Sequence, residues 1–193
     1  MSAFLLAAAA FVVMEPVTYA VHRWVMHGAG MRFHRSHHRR WPARRDGEPW
    51  IEGNDVFPVV FASVTVLALA LGFNVGDLAA LVPVALGVTA YGVAYAGVHD
   101  VYVHHRLPVR WSSRTLDRLA DAHELHHRFG GEPYGMLLPV VPASVRRRQT
   151  QRPSASTPRR QSVVASMVRS RNESLPSSSA KRWRRSPYTE SSG

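Results

Sequence analysis

The chain has no cysteine. Disulfides and thiolate-held metals are therefore excluded, and any bound ion must rely on nitrogen and oxygen ligands. Acidic residues run short in one region: residues 143–193 carry only Glu173 and Glu190 against twelve Lys and Arg, a net charge of +10. Residues 1–142, with twelve Arg and eleven acidic residues, stand at +1. The overall +11 thus belongs to the tail and says little about the part that folds. Charge is almost missing from three further stretches, 3–21, 56–72 and 78–98, where Glu15 is the one charged side chain.

A helix that crosses a bilayer needs about 20 mostly apolar residues, with a range of roughly 17–25. All three stretches qualify on length, although Pro16, Pro58 and Pro83 are expected to interrupt them. The second and third are apolar all round, which argues against buried helices of a water-soluble protein. The first lacks a basic leader, and Thr18-Tyr19-Ala20 is a poor cleavage site, so it reads as a span and not as a signal peptide. The turn FNVGD (73–77) carries no positive charge, whereas the loop 22–55 holds Arg23, Arg32, Arg35, Arg39, Arg40, Arg44 and Arg45. Positive loops stay cytoplasmic. The amino terminus is therefore expected outside, with the second and third spans forming a hairpin.

What the chain has in plenty is clustered histidine. All eleven fall within residues 22–38, 99–105 and 123–127. They read HX4H (His22, His27), HX2HH (His34, His37, His38), HX4H (His99, His104) and HX2HH (His123, His126, His127), with His105 outside the pattern. The arginine rule, applied without regard to histidine, puts all four groups at one membrane face. On a helix, positions i, i+3 and i+4 are neighbours, so each HX2HH is expected to converge on one centre. Leu116, Leu119, His123 and His127 form a stripe at helical spacing, with Gly130-Gly131 to end it. HX4H sets its two rings about 140° apart on a straight helix. Those pairs are expected to ligate where the helix bends, or to approach different ions.

Neutral imidazole suits iron, zinc, copper and nickel. Ten such ligands exceed the demand of one ion, and two ions with four or five histidines each fit the inventory. A ferritin-like centre draws a Glu-x-x-His pair from each of two helices, and here only Glu124–His127 has that spacing. Outer partners are expected among the neighbours. Glu15 shares a helical face with His22 two turns on and is a candidate to steady its ring. Asp100, Asp121 and Glu124 flank ligand histidines, and a solvated position suits Glu124 equally well. Asn54 is a candidate to complete a coordination sphere through its carbonyl oxygen, or to act from outside it. Tyr19, Trp24, Tyr91, Tyr95 and Tyr102 are expected to form an aromatic belt at the membrane surface, although a pocket for an apolar substrate would also use aromatics.

The ordered pattern HX4H, HX2HH, HX4H, HX2HH resembles the fatty acid hydroxylase/sterol desaturase superfamily, and within it the beta-carotene hydroxylases of bacteria. The shared text includes Glu15, HRWVMHGAGMRFHRSHH (22–38), Asn54-Asp55, VHDVYVHHRLPVR (98–110) and DAHELHHR (121–128), and it extends over residues 1 to about 142. The resemblance implies a non-haem centre of two iron ions that uses O2 and electrons from reduced ferredoxin. It implies hydroxylation of beta-carotene at C3 of its rings, through cryptoxanthin to zeaxanthin, in carotenoid biosynthesis. No catalytic side chain is expected beyond the metal centre. The alternatives are a fatty acyl or sterol hydroxylase or desaturase of the same superfamily, a bis-histidine haem electron carrier, and a non-catalytic metal transporter.

The expected fold is an all-α integral membrane protein of about three spans. A histidine-rich metal centre lies on the cytoplasmic side of the cell's inner membrane, in a domain of residues 1–142. Residues 143–193, rich in Ser, Arg and Pro, match nothing in the family and read as a disordered basic tail suited to anionic headgroups. No nucleic-acid motif accompanies its charge.

Overall fold

The structure, a computed structural model, describes residues 2–39, 49–107 and 113–151. Every regular element among them is helical. The first helix, α1, spans Ala3–Ala20, is capped by the Ser2 hydroxyl accepting from the Leu5 N–H, and continues into a π-helical segment over Val21–Ala29. A kink at Gly28, with φ −100° and ψ −119°, turns the chain into α2, Met31–Arg39. A 3-10 turn at Gly53–Asp55 leads into α3, Val56–Asn74. A second 3-10 turn, Gly76–Leu78, precedes α4, Leu81–Ala96, which runs into another π segment at Gly97–Val103. The last two helices are α5, Arg114–Phe129, and α6, Ala143–Gln151.

The prolines do not interrupt the spans as expected. Pro58 and Pro83 each occupy the third position of their helix, where a backbone N–H has no intrahelical acceptor to lose. The chain of α1 runs on through Pro16. The continuous helices of Ala3–Ala29, Gly53–Asn74 and Leu81–Val103 are each long and apolar enough to cross a membrane. Outward faces fit that solvent: Val12, Val64 and Leu67 are all more than half exposed, as apolar residues facing lipid should be.

Small residues set how closely the spans approach. A Cβ on Gly87 of α4 would run into the Ala7 carbonyl oxygen and come within 2.9 Å of the Ala10 side chain, so α1 and α4 meet nearly backbone to backbone there. A Cβ on Gly72 would lie 2.8 Å from a Val82 methyl, which ties the end of α3 to the start of α4 and makes them the expected hairpin. At the ends of the spans, the Tyr102 hydroxyl donates to Asp117 of α5 at 2.6 Å, and Arg106 reaches Asp55 at 2.7 Å and Glu52 at 3.3 Å. Gly130 ends α5 in the left-handed region at φ +67°, with its N–H on the His126 carbonyl.

Residues 143–151, which composition assigned to the tail, are helical in α6. The remainder of that stretch, like Arg40, Arg44 and Arg45 of the first loop, lies outside the described residues.

Candidate metal centre

The first π segment contains one HX4H pair whole, the second holds His99 with His104 as its C-terminal cap, and the i→i+5 hydrogen bond explains why that spacing works. In the second segment the His104 N–H bonds the His99 carbonyl at 2.9 Å. In the first the Gly30 N–H bonds the Val25 carbonyl at 2.7 Å. A π turn stacks residue i+5 over residue i as an α turn stacks i+4. Rings that a straight α-helix would splay therefore point the same way. His22 and His27 have ring centroids 5.2 Å apart, and His99 and His104 4.6 Å. Of the two options read from the sequence, the rings of each pair lie together at a distorted turn.

The HX2HH groups do divide. In α2, His34 and His38 join the first π pair: His38 Nε2 lies 3.3 Å from His27 Nε2 and 3.2 Å from His34 Nε2. His37 faces the other way, with its Nε2 3.2 Å from His99 Nε2 and 3.1 Å from His127 Nε2. Helix α5 mirrors this. His123 and His127 join the second pair, with His104 and His123 at 3.3 Å between Nε2 atoms, while His126 Nε2 sits 3.1 Å from His27 Nε2. The expectation that three rings of one HX2HH meet at one centre is thus corrected. On an α-helix, i and i+4 differ by about 40° and i+3 lies about 100° from i+4, so two rings lean one way and the middle one leans the other.

The outcome is two groups of five: His22, His27, His34, His38 and His126, and His37, His99, His104, His123 and His127. Within each, four rings (His22, His27, His34, His126 and His37, His104, His123, His127) offer nitrogens all within 4.8 Å of one another, a spacing that a single metal ion can bridge.

The far side of the rings fixes their tautomers. His22 Nδ1 donates to the Tyr134 carbonyl at 2.9 Å, His34 Nδ1 to Asn54 Oδ1 at 2.8 Å, and His126 Nδ1 to the Gly131 carbonyl at 2.6 Å. His99 Nδ1 donates to Asp100 Oδ1 at 2.9 Å, and His37 Nδ1 stands 3.6 Å from Glu52 Oε1. In the four hydrogen-bonded rings, His22, His34, His99 and His126, the proton is thereby held on Nδ1, leaving Nε2 as a bare lone pair. His22 and His34 then face one another at 3.2 Å between Nε2 atoms, with no hydrogen to place between them. Two lone pairs at that distance repel unless a cation stands between them. Burial adds to this by holding the rings neutral: it pushes His34 down to about 3, His37 and His38 to about 4 and His126 to about 2. His104, His123 and His127 fall well below the ordinary imidazole range for the same reason. Neutral imidazole is the form that ligates a metal. The donor set and its tautomers fit two ions.

The other candidates fall out differently. Asn54 accepts from His34 Nδ1 through its carbonyl oxygen, so that oxygen is turned to the back of the ring. Asp100 meets His99 as expected. Glu15 touches no histidine among the described residues. It accepts from the Tyr91 hydroxyl and from the N–H groups of Met136, Leu137 and Leu138. Asp121 is exposed on α5 and Glu124 partly buried, and none of the Nδ1 bonds above goes to either. The aromatic belt is largely inverted. Trp24 is exposed, but Tyr91 and Tyr102 are buried, Tyr95 stacks on His99 at 5.0 Å, and the Tyr19 hydroxyl donates to Glu132 at 2.6 Å. His105 is exposed, at φ +51°.

Sequence reasoning missed the Gly131 and Tyr134 carbonyls, because a backbone acceptor leaves no trace in side-chain chemistry. It also missed Glu52, although the three acidic or amide residues at 52, 54 and 55 just before a span were a usable signal.

Comparison with known proteins agrees with this geometry. The chain is 41% identical over 137 residues to a beta-carotene hydroxylase of Paracoccus sp. (strain N81106 / MBIC 01143), covering 69% of this chain and 80% of that protein. It is 39% identical over 140 residues to one of Pseudescherichia vulneris, covering 69% and 75%. It is 39% identical over 145 residues to the chloroplastic beta-carotene 3-hydroxylase 1 of Arabidopsis thaliana, covering 70% of this chain and 44% of that protein. No solved structure matches. The fatty acid hydroxylase family model matches residues 7–142, a segment that takes in the second and third spans, all but the start of the first, and both histidine groups, and the chain belongs to that family.

Proposed function

We propose that this membrane protein is a beta-carotene 3-hydroxylase whose ten patterned histidines hold two iron ions at the cytoplasmic face of the inner membrane. The observation that carries the metal reading is the His22–His34 contact, where two Nε2 lone pairs face each other with both protons committed elsewhere. The names of the relatives from bacteria and plants carry the substrate. Once bound, the iron pair supplies the O2-dependent oxidising power for an unactivated C–H bond, which no side chain provides. Electrons come from a ferredoxin-type donor on the aqueous side.

The chain's own contribution is placement. Three spans keep the protein in the phase where an apolar polyene resides. The π segments at the ends of the first and third spans put four of the ten rings at that boundary, so a carotenoid ring reaches the centre without leaving lipid. Nδ1 bonds to Tyr134, Asn54, Gly131 and Asp100 hold the imidazoles in the ligating tautomer.

A bacterial strain engineered to accumulate beta-carotene tests the reading. Expression of this chain should convert the pigment to cryptoxanthin and zeaxanthin. Unchanged carotene with the protein inserted and iron-loaded defeats the substrate assignment and favours a fatty acyl or sterol substrate. An intense Soret band in the purified protein defeats the non-haem assignment.

A further inference from the structure

Glu15 is an ionisable group within the first span, and such groups are rare there without a task. Its carboxylate collects four donors: the Tyr91 hydroxyl at 2.6 Å on Oε2, Met136 N–H at 3.0 Å and Leu138 N–H at 2.9 Å on Oε1, and Leu137 N–H at 3.2 Å on Oε2. Three consecutive amides from a non-helical loop thus end on one side chain, 121 to 123 positions away in sequence. Irregular backbone at membrane depth survives only where such groups are satisfied internally. The approach is tight. A Cβ on Gly135 would lie 2.8 Å from Glu15 Oε1, so glycine is what lets the loop close on the carboxylate.

The same loop serves the first histidine group. One residue before Gly135, the Tyr134 carbonyl accepts from His22 Nδ1 at 2.9 Å, and the Tyr134 ring packs 5.4, 5.2 and 5.3 Å from those of His22, His27 and His126. Four residues before Gly135, the Gly131 carbonyl holds His126 Nδ1. Glu132 fastens the near end by accepting from Tyr19 and Arg23, both on the helix that carries Glu15 and His22. The far end is fastened by Glu15.

We propose that Glu15 is a positioning residue for the first histidine group: it anchors residues 135–138 so that Tyr134 presents its carbonyl to His22. Glu15 and His22 cooperate through 112 positions of intervening fold and not along their shared helix. The inference rests on the two-metal reading above, and its effect is expected in the first group, since the 131–138 loop accepts from His22 and His126 and packs Tyr134 on His22, His27 and His126.

Full-length protein, stripped of metal and purified in detergent, is titrated anaerobically with Fe(II), and backbone hydrogen exchange is followed at residues 134–138. Wild type should bind two ions. Glu15→Ala should bind one ion as before and the other ten- to a hundred-fold more weakly, the usual effect of losing an outer partner, with faster exchange in the loop. Glu15→Gln, which keeps an acceptor oxygen, should recover much of the loss. Gly135→Ala pushes the loop off the carboxylate without altering either span, and carries the test if Glu15→Ala does not fold. Combining Glu15→Ala with His22→Ala should weaken binding no further than His22→Ala alone, since both act on one ligand. Faster loop exchange with both ions bound at wild-type affinity would overturn the proposal. Equal weakening of both ions would also overturn it, by showing a general structural role. A wild-type protein that binds no Fe(II) would overturn this inference and the proposed function together, whereas two ions bound normally in the variants would overturn this inference alone.

Discussion

An imidazole whose Nδ1 proton is held by a fixed oxygen can offer Nε2 to a metal without first choosing a tautomer. Asn54 does this for His34 across 20 positions, from a site of its own that is nearly fully buried. Asn54→Ala frees the ring to reorient, and metal affinity should drop about 10–100-fold while the helices stay intact; equilibrium dialysis against Fe(II), with circular dichroism as the control, checks this. The contrast between His126 and His105 is sharper still. His126 is wholly buried with both nitrogens engaged, whereas His105 is exposed outside both groups. His126→Ala should abolish hydroxylation in a carotene-producing strain, and His105→Ala should retain most of it. Inactive, well-expressed His105→Ala would place that ring in the centre. At this scale the sequence was informative about which residue types matter and poor about their partners. Ten histidines stand out by clustering alone. Tyr134 and Gly131 act through backbone oxygens, and the Glu15 carboxylate meets its amides more than a hundred positions away, which no local pattern can display.

The π turns are the elements that make the HX4H spacing usable. A single residue added to the first of them tests that role. Inserting alanine between Trp24 and Val25 sets His22 and His27 at i and i+6, which neither a π nor an α turn brings onto one face. That variant should bind one ion in place of two by metal analysis. Deleting Val25 leaves i and i+4, the α-helical equivalent of the present pairing, and should disturb binding less. If the insertion still bound two ions, the π geometry would have no part in ligation. The spans themselves were legible, because apolarity on every face of some twenty residues has few other readings. The π turns were not: the segments VHRWVMHGA and GVHDVYV carry no residue that demands an i→i+5 bond. The first π segment packs against α2 and the second against α5. The division of each HX2HH between two groups was hidden for a related reason. Helical spacing says that three rings are neighbours, and only the placement of a second cluster says which of them turns away.

For the whole molecule, burial of neutral histidines sets a pH dependence of known sign. In the metal-free protein His34, His37, His38 and His126 hold values of about 3, 4, 4 and 2, below the ordinary 6.5 that they regain on unfolding. As pH falls below about 6.5 the unfolded chain takes up protons first, so stability declines progressively toward pH 4 and changes little above pH 7 from this source. The thermal midpoint of metal-free protein in detergent, measured from pH 7.5 to 5, should fall in that order; a flat profile would mean the rings are not buried in their neutral form. A different consequence follows from the outward faces of α1, α3 and α4, where Val12, Val64, Leu67 and Val93 look into lipid while the histidines gather at one end of the bundle. The substrate then arrives by lateral diffusion in two dimensions, and the quantity that saturates the enzyme is its mole fraction in the bilayer, not its concentration in the tube. At fixed protein and fixed carotene, adding empty lipid should dilute the reaction as surely as adding water dilutes a reaction in solution. In proteoliposomes the half-saturation point should stay constant when expressed per lipid and drift when expressed per litre.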